Sequence, residues 1–310
     1  MRPGSAAPNF DFMGGRRVAL VVSVLLMVGS IAAIALRGLN LGIDFTGGVM
    51  LEFAYADAAN LEEIRTSMEG LGFAEVEVQN FGSDSEVLIR IPPLAAGVET
   101  EDIGADIQRA LRESDSSATL QRAEIVDAEV GDDLTEQGGL AMLFALILIF
   151  GYVMLRFRWK FAAGAIAALV HDVVFTIGFF AVTGITFDLS TLAAILAVIG
   201  YSLNDTIVVY DRIRENFRVI RRGSPVDVVN TSINQTLSRT LITGLTTLLV
   251  LAALLVLGGE AVATFSIALI VGVIIGTYSS IYVASAAALL LDVSQQDLIP
   301  VKVDEVDSMP

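Results

Sequence analysis

Six apolar stretches constrain this chain more than any other feature of it. They run over Val18–Leu36, Gly139–Leu155, Phe161–Val182, Leu189–Tyr210, Leu241–Leu257 and Ala261–Leu291. A helix needs about 20 apolar residues to cross the hydrocarbon core of a bilayer, and each stretch is close to that length or longer. Val18–Leu36 contains no charged side chain at all, which a buried helix of a large soluble protein rarely achieves. The composition agrees: 54% of the 310 residues are hydrophobic and only 17% are charged. The expected fold class is therefore an α-helical membrane bundle of six transmembrane helices. The first run exceeds the about 7–15 residues of a signal-peptide core. A retained anchor is expected rather than a cleaved leader, although Arg16-Arg17 and Ala33-x-Ala35 loosely fit a leader pattern.

The formal net charge of −16 is concentrated in one place. Between Asn40 and Gly138 there are 5 Arg and 22 Asp or Glu, so the acidity belongs to the single long loop. Lys and Arg near span ends set membrane orientation, whereas acidic residues matter little. Arg2, Arg16 and Arg17 precede the first span, and Arg156, Arg158 and Lys160 join the second to the third. Arg212, Arg214, Arg218, Arg221, Arg222 and Arg239 separate the fourth from the fifth. The links on the other side, Thr183–Asp188 and Gly258–Glu260, hold neither Lys nor Arg. This bias predicts a cytoplasmic N-terminus (1–17), a first span at 18–36 and an outside segment at 37–138. Spans two to six follow at 139–291, then a cytoplasmic acidic tail at 292–310.

Inside the acidic loop the pattern changes to short periodic pieces. Val49–Tyr55, Glu75–Val78, Val87–Ile91 and Leu120–Val126 read as strands. Leu61, Ile64, Met68 and Leu71 recur at helical spacing after Asn60, with Glu63 placed for a capping box. Ile103, Ile107, Ala110 and Leu111 mark a second amphipathic helix, and Phe81–Glu86 reads as the turn between strands two and three. The order β-α-β-β-α-β predicts a ferredoxin-like α+β domain. It bears no nucleotide, metal or nucleophile signature, so a binding surface and a plain structural cap are both open.

Ionisable groups are costly inside a bilayer and are therefore the candidate functional residues. Asp205 lies in the fourth span, on a face with Tyr201, Val208 and Arg212. Arg239 precedes the apolar part of the fifth span on the same side, so the two can reach similar depth as charge partners. An aspartate whose burial and arginine contact change together would bind and release a proton. A structural ion pair and, for Arg239, an ordinary basic flank are the plainer readings. His171-Asp172, in the middle of the third span, reads as a buried hydrogen-bonding pair or as a proton relay. Side chains of adjacent helical residues point apart, which argues against a catalytic dyad. In the sixth span every fourth residue from Ala268 to Ala288 is small, including Gly272 and Gly276, a stripe for close helix packing within the bundle or against a partner.

Three stretches resemble the SecF family. Gly42-Ile43-Asp44-Phe45-Thr46-Gly47-Gly48 is similar to its motif after the first span. Gly200-Tyr201-Ser202-Leu203-Asn204-Asp205-Thr206-Ile207-Val208-Val209, running into Asp211–Asn216, resembles its most characteristic segment, and Ser238-Arg239-Thr240-Leu241 the start of its fifth span. The first motif would also suit the sister subunit SecD, whose outside region is far larger. The resemblance implies a multi-pass inner-membrane member of the RND-like superfamily. It further implies pairing with SecD, assistance to the SecYEG channel with the proton gradient, and contact with unfolded preprotein. On that resemblance Asp205 and Arg239 fall at proton-pathway positions.

Other classes fit less well. With no cysteine and one histidine, thiolate and multi-histidine metal sites are excluded, and no cofactor or nucleic acid is expected. An intramembrane hydrolase would need a nucleophile in a recognisable turn and a base near it, so no enzyme is expected. A small-molecule exporter of the RND type usually carries twelve spans in one chain, and a passive scaffold is the remaining alternative.

Overall fold

The computed structural model describes residues 10–73, 76–93, 103–220, 223–259 and 262–293. Part of the expected second strand, at Glu75, and nearly all of the expected acidic tail therefore lie outside the described residues. Six helices are long and apolar enough to cross a membrane. In chain order the elements begin with α1 (Arg16–Arg37), the short α2 (Ile43–Thr46), β1 (Gly48–Ala54) and α3 (Leu61–Gly70). Then come β2 (Glu77–Phe81), β3 (Ser83–Ile91), α4 (Ile103–Ser114) and β4 (Thr119–Val126). The chain then forms α5 (Ala128–Arg156), α6 (Trp159–Thr183), α7 (Leu189–Val219) and α8 (Pro225–Leu257). It ends with α9 (Ala263–Ser279), a π-helical turn at Ser280–Ala284 and α10 (Ser285–Leu290).

The loop domain has the ferredoxin-like topology expected from its element order. Its antiparallel sheet is ordered β2-β3-β1-β4. Val49, Leu51 and Phe53 pair with Ile91, Ile89 and Val87, so one face of the sheet carries a continuous apolar set. Helices α3 and α4 cover that face with Ile64, Met68, Ile103, Ile107 and Leu111, all buried. Asn60 caps α3 by accepting from the Glu62 amide at 3.2 Å. The hairpin between β2 and β3 is tighter than the sequence suggests. It turns at Gly82, whose φ of 77° favours glycine, and β3 is already extended from Ser83. Residues expected in the turn are recruited as strand because the chain after β1 pairs with them: Tyr55 donates to the Ser85 carbonyl and Ala59 to that of Asp84.

In the membrane bundle, α6, α7 and the α9–α10 segment form the centre, and α1, α5 and α8 are largely exposed around them. Several helices outrun their apolar stretches. Helix α5 starts at Ala128 rather than Gly139, so the end of the expected outside segment is already a stalk of that helix. Helix α7 continues past Tyr210 to Val219, and α8 begins at Pro225, well before Leu241, on a Ser224–Asp227 capping box. Polar helical turns carry these extensions, and hydropathy does not detect them. The long sixth segment is relieved at Ser280–Ala284, where the π turn inserts a residue and the Tyr210 hydroxyl donates to the Ala284 carbonyl at 2.9 Å.

The loop domain closes its own core, so a fragment spanning residues 47–127 is expected to give a dispersed amide spectrum on its own. In it, Met68→Ala, at a site with no exposure, is expected to lower unfolding stability by about 2–5 kcal/mol in urea titration.

Candidate functional site

Each of the two aspartates buried on the central helices of the membrane bundle stands in its own cluster of polar groups. The first is centred on Asp172 of α6, which has no exposure. Its Oδ2 accepts from Ser202 of α7 at 2.6 Å and from Ser279 of α9 at 2.7 Å, and its Oδ1 lies 3.0 Å from His171 Nδ1. Contrary to the expectation for adjacent helical residues, the two side chains meet. The serines hold Oδ2 between the neighbouring helices, which turns Oδ1 back toward the imidazole of the preceding residue. His171 Nε2 is buried and has no hydrogen-bond partner among the described residues, while its ring lies near that of Tyr278. The Tyr278 hydroxyl in turn donates to the Ala19 carbonyl of α1 at 2.8 Å.

Close helix approach makes this cluster possible. All six residues of the small stripe are buried within the chain. A Cβ on Gly272 would overlap Val198 of α7, and one on Gly276 would lie 3.1 Å from the Ser202 Cβ and 3.6 Å from Asp172 Oδ2. The stripe thus serves packing inside this chain. Gly272→Leu is expected to lower the melting temperature of the purified chain in detergent, with no partner present, by more than Leu substituted at exposed Ile274. Equal effects would remove the packing role.

The second cluster surrounds Asp205, which is 3% exposed. Its Oδ2, Thr206 Oγ1 and Thr240 Oγ1 are buried without a hydrogen-bond partner among the described residues, while the Tyr201 hydroxyl lies within reach of Thr243 and Thr247. Arg239 of α8 is close enough to act on the Asp205 charge, but its side chain is exposed and the two form no salt bridge. Gly200 and Asn204 lie on the exposed side of α7 with Ala193 and Ala197, forming a narrow face of small residues around one carboxamide.

The Gly42–Gly48 segment fastens the loop domain to the bundle. Gly42 donates to the Phe187 carbonyl at 2.8 Å, and Phe187 donates to that of Asn40 at 2.7 Å. Asp44 Oδ2 accepts from the Leu189 amide, while Asp188 Oδ1 accepts from that of Thr191. Two carboxylates thus cap the start of α7, where the helix dipole favours negative charge. Phe45 is buried and its ring contacts Phe187. Gly47 has a φ of 70°, and a Cβ there would come within 2.7 Å of the Ala128 Cα, so a side chain would push α5 away. Gly48, at φ 119°, leaves no room beside the Ile91 carbonyl.

The helix-free face of the sheet presents Met50, Glu52, Leu88, Arg90, Arg122 and Glu124 to a cleft of about 430 Å³. The cleft is closed on its other side by the start of α7 and α9. Partial burial holds the Glu52 carboxyl above its ordinary range, with Arg122 working against that shift and Glu124 and Glu86 adding to it. Folding therefore disfavours the ionised form, a cost present at neutral pH and absent in acid. Glu52→Gln is expected to raise the thermal midpoint of the full chain in detergent at pH 7 and to leave it unchanged at pH 3. An equal rise at both would assign the effect to packing.

A six-span bundle that carries a ferredoxin-like domain between its first two spans, with carboxylates buried on its central helices, defines a polytopic membrane protein of the RND-like fold class. The family described as "Protein export membrane protein SecD/SecF, C-terminal" matches residues 106–294, and the "SecD/SecF GG Motif" matches residues 32–59. The chain belongs to the SecD/SecF family. It is 48% identical to the protein translocase subunit SecF of Vibrio alginolyticus over 98% of both chains. It is 46% identical to that of Pseudomonas aeruginosa over 97% of this chain and 98% of the relative. The crystal structure of SecDF, a translocon-associated membrane protein from Thermus thermophilus, superposes with a TM-score of 0.84 at 38% identity. That match covers 94% of this chain but 40% of the SecDF chain.

Sequence reasoning missed Ser279 and Tyr278, and it treated Ser202 as incidental. A lone serine in an apolar helix carries no distinctive signal. The available clue was that Ser279 lies three residues after Gly276, beside the small stripe.

Proposed function

We propose that this chain is the SecF-type half of an inner-membrane export complex, pairing with a separate SecD chain and assisting SecYEG by coupling proton flow to preprotein movement. In this reading both termini are cytoplasmic and the ferredoxin-like domain stands outside, where its open sheet face meets emerging polypeptide. The observation that carries the proposal is the buried Asp205 Oδ2, which has no hydrogen-bond partner among the described residues. Polar atoms at membrane depth need water, a proton or a partner chain to satisfy them, and a carboxyl with an open oxygen can take the proton itself. Arg239 stands near it on α8, so small helix movements would change how strongly that charge acts on Asp205.

The exposed small face of α7 supports a second membrane chain. Ala193, Ala197 and Gly200 permit close approach, and Asn204 in the same face offers both donor and acceptor to a neighbouring helix. The cluster at Asp172 is assigned a structural role, because its carboxylate is fully engaged by partners from two other helices. Proton relay through His171 is the second reading, favoured only by the unpartnered Nε2.

The test is export of a Sec client into inverted membrane vesicles with and without a proton gradient. Asp205→Asn is expected to abolish stimulation by the gradient while membrane abundance stays normal, since Asn cannot gain or lose a proton near neutral pH. Arg239→Lys is expected to retain part of the stimulation, because charge is kept and no bidentate contact is lost. Full stimulation in Asp205→Asn would remove Asp205 from the proton path and leave a passive scaffold as the better reading.

A further inference from the structure

We infer that the end of the bundle opposite the loop domain holds a binding site for the headgroup of an anionic phospholipid. The start of α1, the start of α8 and the end of α10 enclose a cleft of about 450 Å³, within the ~300–1,000 Å³ range of small-ligand sites. Arg16 and Arg17 stand at its polar edge, Leu20, Leu289 and Leu290 form its apolar wall, and Asp292 lies at the rim. Arg16 is oriented by donating to the Met13 carbonyl at 2.8 Å. Arg17 is exposed and has no salt bridge or hydrogen bond to the described residues. The Lys160 ammonium donates to the Asp292 carbonyl at 2.9 Å and so fixes the turn that ends α10.

Position and charge together select the ligand. The cleft lies where the polar start of α1 gives way to its exposed apolar surface at Val18, Val21 and Val22. An occupant must therefore present an anion at the edge and hydrocarbon below it. Arg16, Arg17 and Lys160 outnumber Asp292 here, leaving an excess of positive charge that a phosphodiester reduces. A zwitterionic headgroup would leave that charge in place, so an anionic lipid is favoured over an ethanolamine lipid. Basic pockets between transmembrane helices bind such headgroups, each Lys or Arg contributing about fivefold in affinity. The inference is independent of the proton reading, because none of these residues belongs to either buried cluster.

The experiment is native mass spectrometry of the full chain, released from micelles containing equal phosphatidylglycerol and phosphatidylethanolamine. One phosphatidylglycerol is expected to be retained in preference. Arg17→Gln should lower that preference about fivefold, and Arg16→Gln with Arg17→Gln should abolish it. Asp292→Asn should raise it, because the rim loses its negative charge. Asn also suits the φ of 53° at this position, so the variant is expected to fold even if the double arginine variant does not. Equal retention of the two lipids would overturn the site. So would an unchanged ratio in Asp292→Asn, or displacement of the lipid by millimolar inorganic phosphate, which would mark a simple anion site.

Discussion

A carboxyl group in the middle of a membrane bundle is costly unless its surroundings replace the hydrogen bonds of the water it has lost. Asp172 is such a group, and the three central helices are arranged around meeting its needs. Two serine hydroxyls and an imidazole supply its hydrogen bonds, from α7, α9 and α6 itself. Those bonds form where α9 approaches closely: a Cβ at 272 would overlap Val198, and one at 276 would fit only tightly against Ser202. Close approach then creates a difficulty further along. The small residues must keep facing inward over a segment longer than one span. The π turn directly after Ser279 shifts the helix register so that Ser280, Ala284 and Ala288 remain buried. The carbonyl of Ala284, at the end of that turn, accepts from the Tyr210 hydroxyl.

The attachment of the loop domain obeys a different constraint. Two chain crossings, into β1 and out of β4, must leave the same small area of the bundle without a long linker. Glycine solves this at Gly47 and Gly48, where backbone meets backbone too closely for a side chain. Gly131 on the facing turn of α5 does likewise, since a Cβ there would sit 2.8 Å from the Phe45 carbonyl. Asp44 then links the junction to the start of α7, so the domain and a central helix share one anchor. A displacement of α7 would therefore be felt at the base of the sheet. Under the proposed function this is the mechanical path between Asp205 and the outside domain, and it consists of a helix and two caps rather than a flexible hinge.

Much of this was legible in the sequence, for identifiable reasons. Apolar length announces a span, and the change to short periodic pieces announces a soluble domain, because both signals are local. The ends of elements were less legible where polar residues continue a helix, as in Ala128–Gly138 and in the first half of α8. Strand β3 began early because its first residues pair with the chain after β1, a non-local contact no window of sequence contains. Asp172 and Asp205 stood out as charges in apolar runs. Their environments did not, since Ser202, Ser279 and Thr240 differ from dozens of other small polar residues only by where the helices put them. The separation of Arg239 from Asp205 likewise follows from how far α8 rolls outward, a property of packing that shared depth does not determine.

The two aspartates differ in a way that bears on which of them can move a proton. Asp172 is enclosed by donors fixed to neighbouring helices, and nothing on the protein side remains for it to gain. Changing that arrangement would require the loss of contacts that hold the core together, so its environment favours permanence. Asp205 has an oxygen left open among the described residues, and the cation that acts on it, Arg239, stands exposed on a peripheral helix. Asn204 beside it faces outward, roughly a third of a turn around α7. A second chain seated on that outer face would bring its own polar groups within a helix diameter of Asp205, whereas Asp172 lies behind α7 and α9 and out of reach. The group able to respond to a partner is thus the one whose interactions within this chain are left incomplete.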